Sequence, residues 1–212
     1  MMADSDYFDS EIADNRRNTP ELVLASASPR RLELLQQIGV ICSVRPVDIP
    51  EIPQPGESPQ AFVERLAREK ACAGLAVAAE GAVVLGADTV VVSDGNILGK
   101  PASREEGLAM LQQLSGSKHR VMTAVTLTSR EQILTQVVTT EVQFQTLSQA
   151  QCERYWDTGE PCDKAGAYGI QGLGAVFVAS INGSYSAVVG LPLAETAAML
   201  ERFGIPVWQV KC

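Results

Sequence analysis

The sequence predicts an α/β fold, a mixed and twisted sheet with helices packed against it. Three observations carry that prediction. The apolar run at residues 82–87, stopped by Asp88 and resumed at Val90, reads as a strand buried on both faces. Two later runs alternate with period two: Val121, Thr123, Val125 and Leu127, then Val138, Thr140, Val142, Phe144 and Thr146. The residues between members of the second run are polar, as an antiparallel strand with one wet face requires. Between the strands lie segments whose apolar residues recur at helical spacing.

The elements follow in order. Residues 1–20 are polar, acidic and without apolar periodicity, and read as a disordered extension ahead of a folded domain at 21–212. A short strand at 21–25 breaks at Ser26-Ala27-Ser28-Pro29. There Ser28 suits an N-cap and Pro29 the first helical position. The helix that follows is expected to bury Leu32, Leu35 and Ile38 and to end at Gly39. An extended run at 41–46 leads into a proline-rich loop at 50–55. Ser58-Pro59 opens a second helix reaching to about residue 79, with Phe62, Leu66, Ala73 and Val77 on one face. Lys70 shares that face, so it either snorkels to the edge or is aimed at something negative.

After the strand at 82–92, Ser93-Asp94-Gly95-Asn96 signals a turn. Ser103 and Glu106 have capping-box spacing and open a helix burying Leu108, Leu111 and Leu114. Ser148 caps another helix to about residue 158. A glycine-rich stretch precedes an expected strand pair, 176–181 and 185–189, turned by Asn182-Gly183. A last helix starts near Pro192 and stops at Gly204.

Composition excludes several function classes. The 212 residues carry a net charge of -8, which argues against nonspecific binding to DNA or RNA. No apolar stretch is long enough to span a membrane, and the N-terminus has no apolar signal region, so a cytosolic location is expected. The cysteines, Cys42, Cys72, Cys152, Cys162 and Cys212, are scattered and read as reduced thiols, most of them packed as small hydrophobes. With His119 the single histidine, a His-rich zinc site is implausible. Any metal would be held by carboxylates and ligand phosphates, which points to Mg2+ or Mn2+.

Three stations could carry chemistry. Ser26-Ala27-Ser28-Pro29-Arg30-Arg31 joins free helix N–H groups, hydroxyls and guanidiniums, the equipment of a triphosphate cradle. An ordinary capped helix with solvated arginines is the other reading. Gly86-Ala87-Asp88-Thr89 places a carboxylate at what reads as a strand end, where it needs a metal, a water or a turn as partner. Lys70 and Lys100 are candidate phosphate ligands and Glu51 a candidate second carboxylate, though each could be a plain surface charge. The third station is Asp163-Lys164-Ala165-Gly166-Ala167-Tyr168-Gly169-Ile170-Gln171-Gly172. Its glycines let backbone approach a flat ligand, and Gln171 offers an amide to read a pyrimidine edge. A plain glycine-rich turn would also explain it.

Together and in this order, the three stations resemble the Maf family. Leu66-Ala67-Arg68-Glu69-Lys70-Ala71, Lys100-Pro101, Asn182-Gly183-Ser184-Tyr185 and Gly190-Leu191-Pro192 extend the likeness over nearly all of residues 22–203. The resemblance implies a nucleoside triphosphate pyrophosphatase with a deep central cleft, a fold like the inosine triphosphate pyrophosphatases, a divalent cation and a homodimer. It makes Asp88 the proton acceptor and Arg30, Thr89 and Gln171 the base-selecting residues. Ser26, Arg31, Lys70 and Lys100 become phosphate-side residues, and Glu51 with Asp88 the metal side. The run at 163–172 is like the branch acting on dTTP and UTP. The rivals are the same chemistry on a modified purine nucleotide, and a nucleotide-binding regulator of cell division that needs no turnover.

Overall fold

The computed structural model describes residues 19–209. Residues 1–18 and 210–212 lie outside it, and with them nearly all of the expected extension and Cys212. The strands are β1 (Leu22–Leu24), β2 (Ser43–Val44), β3 (Val83–Ser93), β4 (Asn96–Leu98), β5 (Lys118–Thr128), β6 (Ile133–Phe144) and β7 (Val178–Asn182). They form one seven-stranded mixed sheet in the order β2-β1-β3-β5-β6-β7, with β4 also paired to β3. The β1–β2 and β1–β3 pairs are parallel, and every other pair is antiparallel. The helices are α1 (Pro29–Gln37), α2 (Pro59–Ala76), α3 (Arg104–Leu114), α4 (Gln149–Trp156), α5 (Tyr185–Val189) and α6 (Leu193–Arg202). Among the described residues, no helix is long and apolar enough to cross a membrane.

The α/β architecture with a mixed sheet is therefore the one expected, and three local readings are corrected. Asp88 does not end a strand: β3 runs unbroken from Val83 to Ser93 with Asp88 in its middle. The strand that ends there is its neighbour. β1 covers β3 only from Val83 to Leu85, and β4 covers the same flank only from Val91 to Ser93. β5 holds the opposite flank from Val84 to Val92. Between Leu85 and Val91 the β1/β4 flank has no strand partner among the described residues, so a carboxylate in mid-strand still faces an opening.

The second correction concerns the expected strand pair. Its first half exists as β7, but residues 185–189 are helix α5, started by the Ser184 side chain accepting from the Ala187 N–H. Five residues are too few for periodicity to separate helix from strand, and the cap decides. Thirdly, α2 stops at Ala76 and Val77 is 66% exposed; Phe62, Leu66 and Lys70 are buried as expected, but the buried stripe also takes in Val63, Ala67, Ala71 and Gly74 and does not extend to Val77. Small residues on that stripe bring the helix backbone down onto the sheet. A Cβ on Gly86 would stand 2.5 Å from both the Ala67 carbonyl oxygen and the Ala71 nitrogen. Gly86 thus sets the height of α2 over β3.

The other caps behave as their sequences suggest. Ser148 and Gln151 form a complete capping box on α4. On α3, Ser103 accepts from the Glu106 N–H, and the Glu106 carboxylate reaches one residue further back, to the Ala102 N–H. Leu111 and Leu114 are fully buried there, with Leu108 half-buried against the same core. On α1, Leu35 is buried while Leu32 and Ile38 are half-buried.

The larger core lies on the odd-numbered face of β3, with Val83, Leu85, Ala87 and Val91. The even-numbered face packs Val90 and Val92 under Phe62, Val63 and Leu66 of α2. His119 belongs to the larger core. It is 2% exposed, edge-on to Phe144 and Tyr168, with Nε2 2.8 Å from the Tyr168 hydroxyl. Burial lowers its pKa to about 4. The unfolded chain binds this proton near pH 6.5 and the folded chain only near 4, so the contribution to stability is complete above 6.5. It is lost progressively as pH falls between the two, by up to about 3 kcal/mol. Denaturant midpoints taken from pH 7 to 5 should fall, and His119→Leu should flatten that slope whatever it does to absolute stability. Equal slopes in parent and variant would refute the neutral burial of His119.

Candidate active site

Every residue singled out in the three stations lines one cleft of about 940 Å3: Ser26, Arg30, Arg31, Glu51, Lys70, Asp88, Thr89, Lys100 and Gln171. That volume is in the range of small-molecule sites. The cleft enters where β3 lacks a partner. Asp88 and Thr89 are adjacent on a strand, so their side chains project to opposite faces of the sheet. Both reach the cleft because the flank beside them is open.

Asp88 is 7% exposed and Lys70 8%, and their charged atoms are 2.7 Å apart. The pairing is a consequence of Gly86. With α2 resting directly on the strand at Gly86, Lys70 arrives over Asp88, two residues along on the same face. Glu51, from the proline-rich loop, meets the same Lys70 ammonium at 2.5 Å. Burial raises the Asp88 carboxyl above its usual range, against the opposing pull of Lys70 and Arg31. Glu51 is half exposed, and burial pushes it the same way. There the Lys70 bond and charge, with Lys100 and Arg31 behind them, win and hold the carboxyl low. The two carboxyls are therefore pushed in opposite directions from their ordinary values, Asp88 up by burial and Glu51 down by its cationic neighbours.

Among the described residues, no group of three or more His, Cys, Asp or Glu side chains could hold a metal ion. Glu51 and Asp88 do converge as a pair on one ammonium. Two carboxylates are the protein contribution expected for Mg2+ that arrives with substrate phosphates and keeps several waters. The donor set fits such an ion and not an all-protein cage.

The first station is built for an anion. Ser28 occupies the N-cap of α1 without making a side-chain cap bond, so the N–H groups of the first turn stay open to a ligand. Ser26 Oγ accepts from the Ser28 N–H at 3.2 Å and from Arg31 Nη1 at 3.0 Å. Its own proton remains available to a phosphate oxygen. Arg31 Nε is anchored on the Gly190 carbonyl at 3.0 Å, and Nη2 reaches Thr89 Oγ1 at 3.4 Å. Thr89 is also 3.0 Å from the hydroxyl of Thr123, its cross-strand partner on β5. Arg30, Lys100 and Gln171 line the cleft with no hydrogen bond or ion pair to other described residues.

Two residues escaped the sequence reading. Thr123 looked like one more inward position of a strand. Glu160 lies just ahead of the third station and organises it. Its Oε1 accepts from the Tyr155 hydroxyl at 2.7 Å and the Gly174 N–H at 3.0 Å, and its Oε2 from the Leu173 N–H at 2.8 Å. Tyr155 in turn accepts from the Gly169 N–H at 3.0 Å. The loop carrying Gln171 is thus clamped at both ends by one carboxylate. A Cβ on Gly172 would collide with that carboxylate, which explains the glycine. The only sequence signal was a Glu-Pro pair before a glycine-rich run. Cys162, expected to pack as a small hydrophobe, is instead exposed. The nearby Lys164 ammonium is taken by Asp163 at 2.6 Å and the Glu160 carbonyl at 2.8 Å.

Residues 21–203 match the family described as Maf-like protein. A dTTP/UTP pyrophosphatase of Saccharophagus degradans is 52% identical over 195 residues, covering 91% of this chain and 93% of that protein. A dTTP/UTP pyrophosphatase of Vibrio cholerae is 55% identical over 183 residues, covering 86% and 98%. Among solved structures, a nucleoside-triphosphatase, dITP/XTP pyrophosphatase of Mycobacterium abscessus aligns at 17% identity with a TM-score of 0.43. That alignment covers 86% of this chain and 94% of that one.

The Glu160 clamp is directly testable. In Glu160→Gln one of the two oxygens becomes a donor, so a loop N–H loses its acceptor. The expected cost is about 1–3 kcal/mol, read as a lower denaturation midpoint. A variant as stable as the parent would show that the clamp contributes nothing.

Proposed function

Because the chain belongs to the Maf family, we propose that it hydrolyses dTTP and UTP to the monophosphate and pyrophosphate in the cleft beside β3. The observation that carries this is the buried Asp88–Lys70 pair at the floor of a cleft whose other walls are an anion cradle and a glycine-rich loop. A protein that only bound nucleotides would have no use for a basic, buried carboxylate beside a phosphate site. Relatives more than half identical over most of their length carry the dTTP/UTP pyrophosphatase name.

In this reading Asp88 takes the proton of a water that attacks the α-phosphorus, and the bond from that phosphorus to the bridging oxygen breaks. Lys70, 2.7 Å away, orients Asp88 and then faces the charge that builds on the phosphoryl oxygens. Ser26, Arg31 and the open N-terminus of α1 hold the phosphates, and Lys100 receives the departing pyrophosphate. Glu51 and Asp88 would hold the divalent cation, which would supply charge neutralisation and make water more acidic. Arg30, Thr89 and Gln171 select the base. A cytosolic location and a homodimer belong to the same proposal, and sedimentation in solution tests the second.

Two outcomes are expected. Asp88→Asn should fold normally and lose roughly a hundred- to ten-thousandfold in pyrophosphate release, the usual cost of a missing general base. Turnover within a few-fold of the parent would exclude the role. Across a nucleotide panel, dTTP and UTP should be cut at similar rates, with CTP and the purine triphosphates slower by about tenfold or more. A parent that prefers GTP or CTP would sink the substrate assignment and leave the pyrophosphatase chemistry standing.

A further inference from the structure

Thr123 has no exposed surface, yet its hydroxyl lies directly behind Thr89, which lines the cleft. That hydroxyl has two partners, the Ala187 carbonyl at 2.7 Å and the Thr89 hydroxyl at 3.0 Å. A carbonyl can only accept, so the single proton of Thr123 goes to Ala187. Thr89 must then be the donor in the Thr89–Thr123 bond. From the other side, Arg31 Nη2 donates to the same Thr89 oxygen at 3.4 Å, and a guanidinium cannot accept. The bonds therefore run one way, from Arg31 through Thr89 and Thr123 to the Ala187 carbonyl. The proton of Thr89 is committed to the interior, and what it shows the cleft is a lone pair.

We propose that Thr123 is a positioning residue for base selection: it fixes Thr89 as a hydrogen-bond acceptor, which suits the N3–H of uracil or thymine and rejects the unprotonated N3 of cytosine. This rests on the reading above, in which Thr89 meets the base. The chemistry of the remaining readers supports it. Arg30 can only donate, and the Gln171 amide can turn either end to the ligand, so neither enforces an acceptor. A uracil edge presents two carbonyls that need donors and one N–H that needs an acceptor. The Thr123 relay supplies the acceptor with its direction locked.

The test is kcat/KM for UTP and CTP, with Mg2+, in the full chain and in Thr123→Val, Thr123→Ser and Thr89→Val. Thr123→Val frees the Thr89 hydroxyl to turn and donate. The UTP-to-CTP ratio should fall roughly tenfold, with efficiency on CTP rising while that on UTP falls. A purely structural loss would lower both together. Thr123→Ser keeps the relay and should keep the ratio. Thr89→Val, at a half-exposed position, removes the accepting oxygen and should also shrink the ratio, so it carries the test if Thr123→Val does not fold. A folded Thr123→Val or Thr89→Val with the parent's ratio overturns the inference while the substrate reading stands. A parent with no preference for UTP over CTP overturns both.

Discussion

The site depends on a stretch of one strand edge. Between Leu85 and Val91, β3 is paired to β5 on one side and, among the described residues, to no strand on the other. Backbone groups inside a sheet are normally consumed by their neighbours, and side chains on opposite faces are kept apart by the sheet itself. Here the parallel partner β1 stops at Leu24, its chain turning away through Ser26 into α1, and the antiparallel partner β4 reaches back only as far as Val91. A ligand entering the gap can touch Asp88 on one face and Thr89 on the other. On the proposed reading, phosphate chemistry and base reading would then fall to consecutive residues of one strand.

Gly86 supplies the second constraint. Any side chain there would lift α2 off the strand, and the Lys70–Asp88 distance would grow with it. That ion pair is a poor device for stability, since desolvating two charges costs several kcal/mol that their attraction repays only with good geometry. Its value lies elsewhere. A lysine flanked by Asp88 and Glu51 keeps both carboxylates pointed at one spot. Burial meanwhile raises the Asp88 carboxyl above its ordinary value, while the cations around Glu51 lower that one. The fold bears that cost at the place where the proposed reaction would move a proton.

How much of this was legible follows from which interactions are local. The Ser26–Arg31 turn, the capping signals at Ser103 and Ser148, and the helix stops at Gly39 and Gly204 are written within a few neighbouring residues, and the structure has them. The alternation that marked β5 and β6 is local too. Asp88 was misplaced to a strand end because sequence shows where apolar residues stop, and not where a partner strand stops. Residues 185–189 are too few for periodicity to separate helix from strand; the Asn182-Gly183 pair suggests a hairpin, and the Ser184 cap marks a helix. Lys70 was recognisable as a lysine out of place on an apolar face, although its partners, Asp88 and Glu51, are set by packing. Thr123 and Glu160 were invisible for the same reason. Thr123 acts through a register pair and a carbonyl 64 positions away, and Glu160 through loop amides that any sequence would carry.

The charges of the cleft bear on what must accompany the substrate. Five basic side chains line it, Arg30, Arg31, Lys70, Lys100 and Lys164, against four acidic ones, Glu51, Asp88, Glu160 and Asp163. The balance is one positive charge, in a protein whose total is -8. Lys70 and Lys164 are already neutralised by their carboxylate partners. Burial also opposes bringing further charge into the gap unless it arrives compensated. A triphosphate carries several negative charges, and Arg30, Arg31 and Lys100 cannot balance them and the Asp88 carboxylate together. The deficit is met if the nucleotide enters as its divalent-cation complex, with Glu51 and Asp88 as the protein's share of the ligands. On the proposed reading, Lys70 would then be free to face phosphate oxygens in place of one carboxylate partner. The observed geometry supports that reading in one respect: the two carboxylates already converge on a single cationic centre, the Lys70 ammonium, so the place a divalent cation would take is one where the fold already gathers negative charge.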